Sequence, residues 1–436
     1  MSRDTVDKWA TRRLRDLTTK IGSGATPRGG RQAYKETGIA LIRSQNVFDM
    51  TFDPTGLALI DTSQAAALSN VEVQGGDVLL NITGASVARC CLVPPNVLPA
   101  RVNQHVAIVR ADPSVLDSEF LLYSLNSPQQ KQQLLTLAQG GATREALTKD
   151  TIGDFQIPLP QVKTQRKVAA ILSAYDDLIE VNRRRIEILE EMARRLYREW
   201  FVHFRFPGHE GVRFVDTAVG RIPEGWEVVK VREVATTHRG RSYRSSDLVA
   251  EGGLPFLNLK CVDREGGFRG DGLKRYSGQY QNTHLAAPGD IVIAVTDVTQ
   301  ERRIVARAAR VPDIGETPFV YSMDLVKVAP AAYVPSDYLY GMFRFSVFAD
   351  EVKQFANGVN VLHLHPDRIG DFSFAIAPLW LQETYASFAG ASYAQRDVLR
   401  RQCDLLRRAR DMLLPKLVGG EVDVEGVEAA GAEATR

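Results

Sequence analysis

The side chains of this sequence best placed for chemistry are hydrogen-bonding groups on glycine-flanked loops, and they fall into two sets. The first holds Thr26, Arg28 and Arg31 in the run Gly22-Ser23-Gly24-Ala25-Thr26-Pro27-Arg28-Gly29-Gly30-Arg31, then Arg43, Ser44 and Asn46, then Thr83, then Asn103, Gln104 and His105, and last Thr143 and Arg144 after Gly140-Gly141. The second holds Arg239, Arg241, Ser242, Tyr243 and Arg244 around Gly240, then Asn258 and Lys260, the run Tyr321-Ser322-Met323-Asp324, and Asn357 and Asn360 flanking Gly358-Val359. Arginine's planar fork fits guanine edges and phosphates, side-chain amides fit adenine, and hydroxyls serve both, while glycine lets a backbone come close. Any one of these loops reads more readily as an ordinary solvated turn. Their recurrence in the same order in both halves points to a ligand made of base edges and phosphates.

Patterns for covalent or metal chemistry are missing. There is no Gly-x-x-x-x-Gly-Lys-Ser/Thr loop, and Gly22-Ser23-Gly24 fails the dinucleotide fingerprint because Pro27 stands at the third glycine. No Gly-x-Ser-x-Gly elbow occurs. His363-Leu364-His365 lacks Asp, Glu or Cys companions in register, so a structural or DNA-facing role is expected for it rather than a metal pair. Cys90, Cys91, Cys261 and Cys403 have no ligand-like spacing and read as buried thiols.

The elements that must position these loops come twice. Ile152-Gly153-Asp154-Phe155 returns as Ile369-Gly370-Asp371-Phe372, and Trp9…Leu14-Arg15-Asp16-Leu17 as Trp226…Val231-Arg232-Glu233-Val234, each 217 positions on. Gly76-Asp77-Val78-Leu79-Leu80…Thr83 is answered by Gly289-Asp290-Ile291-Val292-Ile293…Thr296 at 213. Common order and near-constant spacing indicate a duplication. In each copy, short β-like runs separated by Gly, Pro and Asn turns are followed by a long helix, and one helix interrupts the first copy's strands from Asp117 to Leu135. Gln165 to Trp200 contains no Gly or Pro, and its apolar or small residues at 172, 175, 179, 186, 189, 193, 196 and 200, with Asn182 filling the gap, form a heptad seam. The second helix, 379 to 414, has a weaker seam at its start, where Ser392 and Arg396 fall in phase, and a firmer one through Leu399, Cys403, Leu406 and Leu413. Two such stripes can bury each other, and rods of about 54 Å would hold two modules apart.

Composition agrees with a folded protein: hydrophobic residues are 44% and charged residues 24% of 436. Net charge of +2 argues against a polybasic coating protein, and 41 of the 54 basic residues are arginine. That bias suits phosphate and guanine contacts, and a G+C-rich genome would produce it too. No apolar run approaches the ~18 residues of a membrane span, and the charged amino terminus does not resemble a secretory signal, so a cytoplasmic location is expected.

The succession Gly-Ser-Gly-Ala-Thr-Pro (22 to 27), Leu79-Leu80-Asn81-Ile82-Thr83-Gly84-Ala85, Asn103-Gln104-His105-Val106, and Ile157-Pro158-Leu159-Pro160 leading through Gln165 into the long helix resembles the specificity subunits of type I restriction-modification systems. Glu199 to Pro207 after the first helix, and Leu413 to Glu421 after the second, are similar to that family's closing segments. The likeness runs over nearly the whole chain. It departs in the second half, where Asp297-Val298-Thr299-Gln300 replaces Gly84-Ala85-Ser86 and Val359-Asn360-Val361-Leu362 replaces Ala142-Thr143-Arg144-Glu145. The resemblance implies an α+β chain of two mixed target-recognition domains separated by two long helices. With the repeat, it predicts an antiparallel coiled coil and a pseudo-two-fold relation between the halves. The expected boundaries are 1–160 and 208–378 for the recognition domains, 161–207 and 379–420 for the spacers, and 421–436 for a frayed acidic tail.

The resemblance also implies a non-catalytic subunit that carries the specificity for double-stranded DNA and works with two methyltransferase subunits and with restriction/translocase subunits. S-adenosylmethionine, ATP and Mg are expected on those partners and none on this chain. The target should be two unlike half-sites, on the order of 34–36 Å centre to centre. Two other classes stay open on the sequence: a twin-module protein-interaction scaffold, and a detached recognition half of a single-chain restriction enzyme.

Overall fold

The computed structural model describes residues 9–139 and 146–426. The chain divides into two compact units, Met1–Glu180 with Asp404–Arg436, and Val181–Cys403. The division crosses both long helices, α1 (Val162–Tyr197) and α2 (Leu379–Val418).

The first unit contains two four-stranded sheets. One has the order Thr18–Ser23, Val106–Ala111, Val78–Asn81, Cys90–Leu92, all antiparallel. The other has the order Ala58–Ile60, Ile39–Ile42, Ala100–Val102, Glu72–Val73, with a parallel pair at its centre. Strand alternation explains the layering. Val78, Leu80, Ala107 and Val109 pack toward the helices, while Leu79, Val106 and Ile108 pack toward the second sheet. The two central strands are therefore apolar on both faces, which is why the sequence showed continuous runs instead of alternation.

The second unit repeats the plan with one strand added. Ala235–Arg239, Leu325–Pro330, Ile291–Ala294 and Ala308–Arg310 form the antiparallel sheet in the same order. The other sheet has Leu254–Leu257 parallel to Phe319–Tyr321 at its centre, plus one extra edge strand, Leu248–Val249. Ile291 and Ile293 face the helix side, and Val292 and Ala294 face the second sheet. The sequence echo at 213 positions is this shared central strand.

The long helices pair antiparallel within each unit. In the first, Arg410 of α2 meets Asp176 of α1, and Lys167 of α1 donates to the carbonyl of Val424 in the segment that follows α2, at 3.2 Å. In the second, Tyr385 donates to the carbonyl of Ala193 at 3.2 Å and Arg400 meets Glu190 at 2.9 Å. Leu172, Ile179, Asn182 and Ala193 are buried, as the seam required. Each helix also begins with the same tie: Gln165 donates to the carbonyl of Pro160 at 2.8 Å, and Gln382 to that of Ala377 at 2.7 Å.

Three expectations are corrected. The helix expected from Asp117 to Leu135 is two, Ser118–Asn126 and Pro128–Gln139, because Ser127 adopts an extended conformation before Pro128. Arg396 lies in the α2 seam at 1% exposure instead of weakening it. Its charge is met by Asp397 at 2.9 Å and Glu190 at 3.3 Å, and it stacks on Tyr393 at 5.0 Å. The acidic tail does not fray at its start, since Val424 is buried in the first unit's core; residues 427–436 lie outside the described residues.

Candidate nucleic-acid interface

In the first unit the glycine-rich loop leaves the strand Thr18–Ser23 and runs against the turn 103–105. Gly24 is fixed there by contact: a Cβ on it would lie 1.7 Å from the Val102 carbonyl oxygen, and its amide donates to the Asn103 carbonyl at 3.1 Å. The turn is held from inside. The Asn103 side chain accepts the His105 amide at 3.0 Å, and the His105 carbonyl accepts the Ile82 amide at 3.0 Å. A connected polar row results. Thr83 Oγ1 shares a hydrogen bond with His105 Nδ1 at 2.7 Å, His105 Nε2 with Gln104 Nε2 at 3.2 Å, and Thr26 donates to the Gln104 side-chain carbonyl.

In the second unit the same backbone carries different side chains. A Cβ on Gly240 would lie 2.1 Å from the Ser322 carbonyl oxygen, and the Arg241 amide donates to the Tyr321 carbonyl at 2.8 Å. The Ser322 hydroxyl accepts the Asp324 amide at 3.3 Å, and the Asp324 carbonyl accepts the Val295 amide at 2.8 Å. Thr296 Oγ1 donates to Asp324 Oδ1 at 3.0 Å. Thr296 and Asp324 thus stand where Thr83 and His105 stand. The two threonines are flanked alike, for Thr83 bridges to Ala146 and Thr296 to His363.

A family model described as the type I restriction modification DNA specificity domain matches residues 6–191. The chain is 26% identical to the type I restriction enzyme MjaIX specificity subunit of Methanocaldococcus jannaschii, over 71% of this chain and 70% of that protein. It is 21% identical to the putative MjaX specificity subunit of the same organism, over 96% and 95%. The family model and both relatives support a type I restriction-modification specificity subunit. Its fold is that of the type I system S subunit from M. genitalium, which superposes with a TM-score of 0.61 over 96% of this chain and 98% of that one at 14% identity.

The structure sorts the candidate residues. Thr26, Thr83, Gln104 and His105 come together in the polar row, with Asn103 holding the turn from beneath. Arg239, Arg241, Ser242, Tyr243 and Arg244 lie on the loop running against Ser322-Met323-Asp324, with Arg239 donating to the Met323 carbonyl at 3.4 Å. Tyr243 packs edge-on against Phe256 at 4.8 Å, and burial together with the Asp324 charge pushes its hydroxyl above the ordinary range. Burial and the neighbouring Arg241 hold His284 below the usual histidine value. Arg28, Gln104, Arg239, Ser242, Arg244, Lys260, Asn357 and Asn360 are exposed. Thr143 and Arg144 lie outside the described residues, and Arg31 is placed only by its backbone, in the turn Gly30–Ala33.

Four candidates turn inward and support their own loops. Asn46 is fully buried and donates to the carbonyls of Asp53 and Thr55 at 2.9 and 3.3 Å. Asn258, at 5% exposure, donates to the Gly272 carbonyl at 2.7 Å and caps the Lys260 amide at 2.9 Å. Asn103 is buried beneath its own turn. Arg43 is half-buried over Tyr34 at 5.3 Å and donates to the Gly56 carbonyl at 2.5 Å. An asparagine suits the inside of a tight turn for the same reason that it suits a base edge, namely paired donor and acceptor. Composition of the loop could not separate the two uses. Thr296, not among the candidates, could have been found by aligning it with Thr83, and carrying that register forward singles out Asp324 within the candidate run after Tyr321.

Among the described residues no cluster of His, Cys, Asp and Glu could hold a metal ion, and no helix is long and apolar enough to cross a membrane. All four cysteines are buried, and desolvation pushes the Cys90 and Cys261 thiols up to about 12.

Proposed function

We propose that this specificity subunit reads a bipartite, asymmetric double-stranded DNA target, with residues 9–160 reading one half and 208–378 the other. One observation carries the reading: two copies of one hydrogen-bonded scaffold present His105 in one copy and Asp324 in the other. Ionised aspartate only accepts, so it selects the amino groups of cytosine or adenine, while imidazole can donate or accept. Identical frames with unlike side chains suit two unlike half-sites.

The subunit itself is non-catalytic in this reading and works in the cytoplasm. It positions two methyltransferase subunits, which bind S-adenosylmethionine, and restriction subunits, which use ATP and Mg. The protein-interaction scaffold and the detached enzyme half gain no support from any observation above.

Methylome sequencing of a host that expresses the chain with its modification subunits tests this. The expected result is methylation within two different short sequences separated by unread bases. Exchanging residues 9–160 for the first module of another family member should change one half-site and leave the other. A continuous target, or a swap that alters both halves together, overturns the proposal.

A further inference from the structure

The segment 357–363 of the second unit is a closed hairpin. Asn357 and His363 exchange both backbone hydrogen bonds, at 3.0 and 2.8 Å, and at its base Leu362 and His363 pair with Asp297 and Thr296. Gly358 has φ +151°, and a Cβ on it would lie 1.9 Å from the Val361 carbonyl oxygen, so the turn admits only glycine. The hairpin is braced from the side as well. Gln300 donates to the Val359 carbonyl at 2.7 Å, and Arg302 to the Gln354 side chain at 3.0 Å. The loop that carries both is pinned by buried Asp297, whose carboxylate accepts the Thr299 amide and hydroxyl and the Ile304 amide, each at 2.8 Å.

At the tip of this braced hairpin Val359 is 90% exposed, beside exposed Asn360. A lone valine on a surface needs no explanation. A valine whose main chain is fixed by a glycine turn, a glutamine clamp and a pinned neighbouring loop is different, because its β-branched side chain is then held stiffly in water. Its position is also specific: the hairpin grows out of Thr296, one member of the Thr296–Asp324 pair.

We propose that Val359 is a specificity-determining residue whose isopropyl group packs against the C5-methyl of a thymine in the major groove of the half-site read by the second module. This rests on the DNA-reading function proposed above. The thymine methyl is the apolar mark that the major groove displays, and a rigid aliphatic tip beside amide and carboxylate groups complements a base pair that shows a methyl next to polar edges. Asn360 and Asp324 read the polar atoms, and Val359 distinguishes thymine from cytosine.

The experiment uses the full chain assembled with its modification subunits and duplexes carrying the target found by methylome sequencing. Each thymine of the second half-site, on either strand, is replaced in turn by deoxyuridine, which lacks only the methyl. For the parent complex one such replacement should weaken binding about fourfold, the value of one buried methyl group. The Val359→Ala complex should bind the unmodified target more weakly by a similar factor and be indifferent to deoxyuridine at that position, with all other positions unchanged. Retention of parental affinity and deoxyuridine sensitivity by Val359→Ala overturns the assignment, as does a second half-site that tolerates deoxyuridine everywhere. A parent complex with no sequence preference at all would instead remove the functional reading on which the assignment stands. Val359 has almost no buried surface, so the variant tests contact and not folding.

Discussion

Thr83 with His105 and Thr296 with Asp324 occupy the same backbone in the two units, yet one pair ends in an imidazole and the other in a carboxylate. Everything beneath them is kept: the glycine pressed on a carbonyl, the side-chain cap on the turn, and the strand-end amide that donates to the turn's carbonyl. The difference teaches where divergence is tolerated. A side chain packed in the core on either face of a central strand cannot change size without cost. One at the end of that strand, with its polar tip on a loop, can change charge and leave the core intact.

The polar joints made by the long helices differ more than the sheets do, and they give the largest expected effect. In the second unit Asp397, 3% exposed, meets Arg396 at 2.9 Å, Arg310 at 3.6 Å and the Asp313 amide at 3.1 Å. In the first unit Asp176 is 30% exposed and takes Tyr123 at 2.7 Å together with Arg410. Removing one partner from a buried charge cluster strands the rest without solvent. Asp397→Ala should therefore cost about 3–5 kcal/mol in a denaturant titration, and Asp176→Ala about 1.5–3 kcal/mol. Equal losses would show that the two joints are energetically alike despite their burial.

A smaller effect is expected at the paired glycines. Gly24→Ala and Gly240→Ala would each drive a methyl into a carbonyl oxygen, at 1.7 and 2.1 Å. Each loop must shift, with a cost of about 1–3 kcal/mol and a loss of specific DNA binding. The two variants should behave alike. If one is neutral, the shared scaffold is not equally strained and the equivalence of the loops fails.

Much of this was legible in the sequence because repetition and period report on backbone. The echo Ile152-Gly153-Asp154-Phe155 against Ile369-Gly370-Asp371-Phe372 is a pair of short helices whose Gly153 and Gly370 lie under Arg15 and Arg232. The heptad seam in α1 needed only spacing. Side-chain direction was not legible. Asn46 and Asn258 sit in polar loops just as Asn360 does, but turn inward, because a three-residue helical turn after a strand leaves amides that a side chain must meet, Asn258 from the cap position and Asn46 by reaching back from the third position to the Arg43 amide. The salt network at Arg396 was hidden because its carboxylates sit next door in sequence or on the other helix, outside any local pattern.

Exchanging the divergent side chains sharpens the comparison further. His105→Asp and Asp324→His each give one unit the other's polar group on an unchanged frame. Each should keep its fold, relax or change one position of one half-site, and shift discrimination there by about 1–3 kcal/mol. Binding selections with randomised half-sites would read this directly. A change spread over both half-sites would mean that the pair acts through the scaffold and not by contact.

The smallest effect separates arginines that hold phosphate from arginines that read bases. On the described loops the second unit carries Arg239, Arg241 and Arg244, while the corresponding glycine-rich loop of the first carries Arg28 and Arg31. Removing one arginine that pairs with a phosphate should lower the slope of log K against log salt by about 0.9 and weaken target and non-target DNA together. Arg239 and Arg244 are exposed, so alanine there should produce this uniform flattening. Arg241 is half-buried, with a buried Nε that no side chain or carbonyl accepts, and its backbone is bonded to the turn that ends in Asp324. Arg241→Ala should therefore add a loss of discrimination at one base pair to whatever it does to the slope. If all three variants flatten the slope equally and leave specificity untouched, the second unit's arginine loop only grips the backbone, and reading is left to Asp324 and the hairpin beside it.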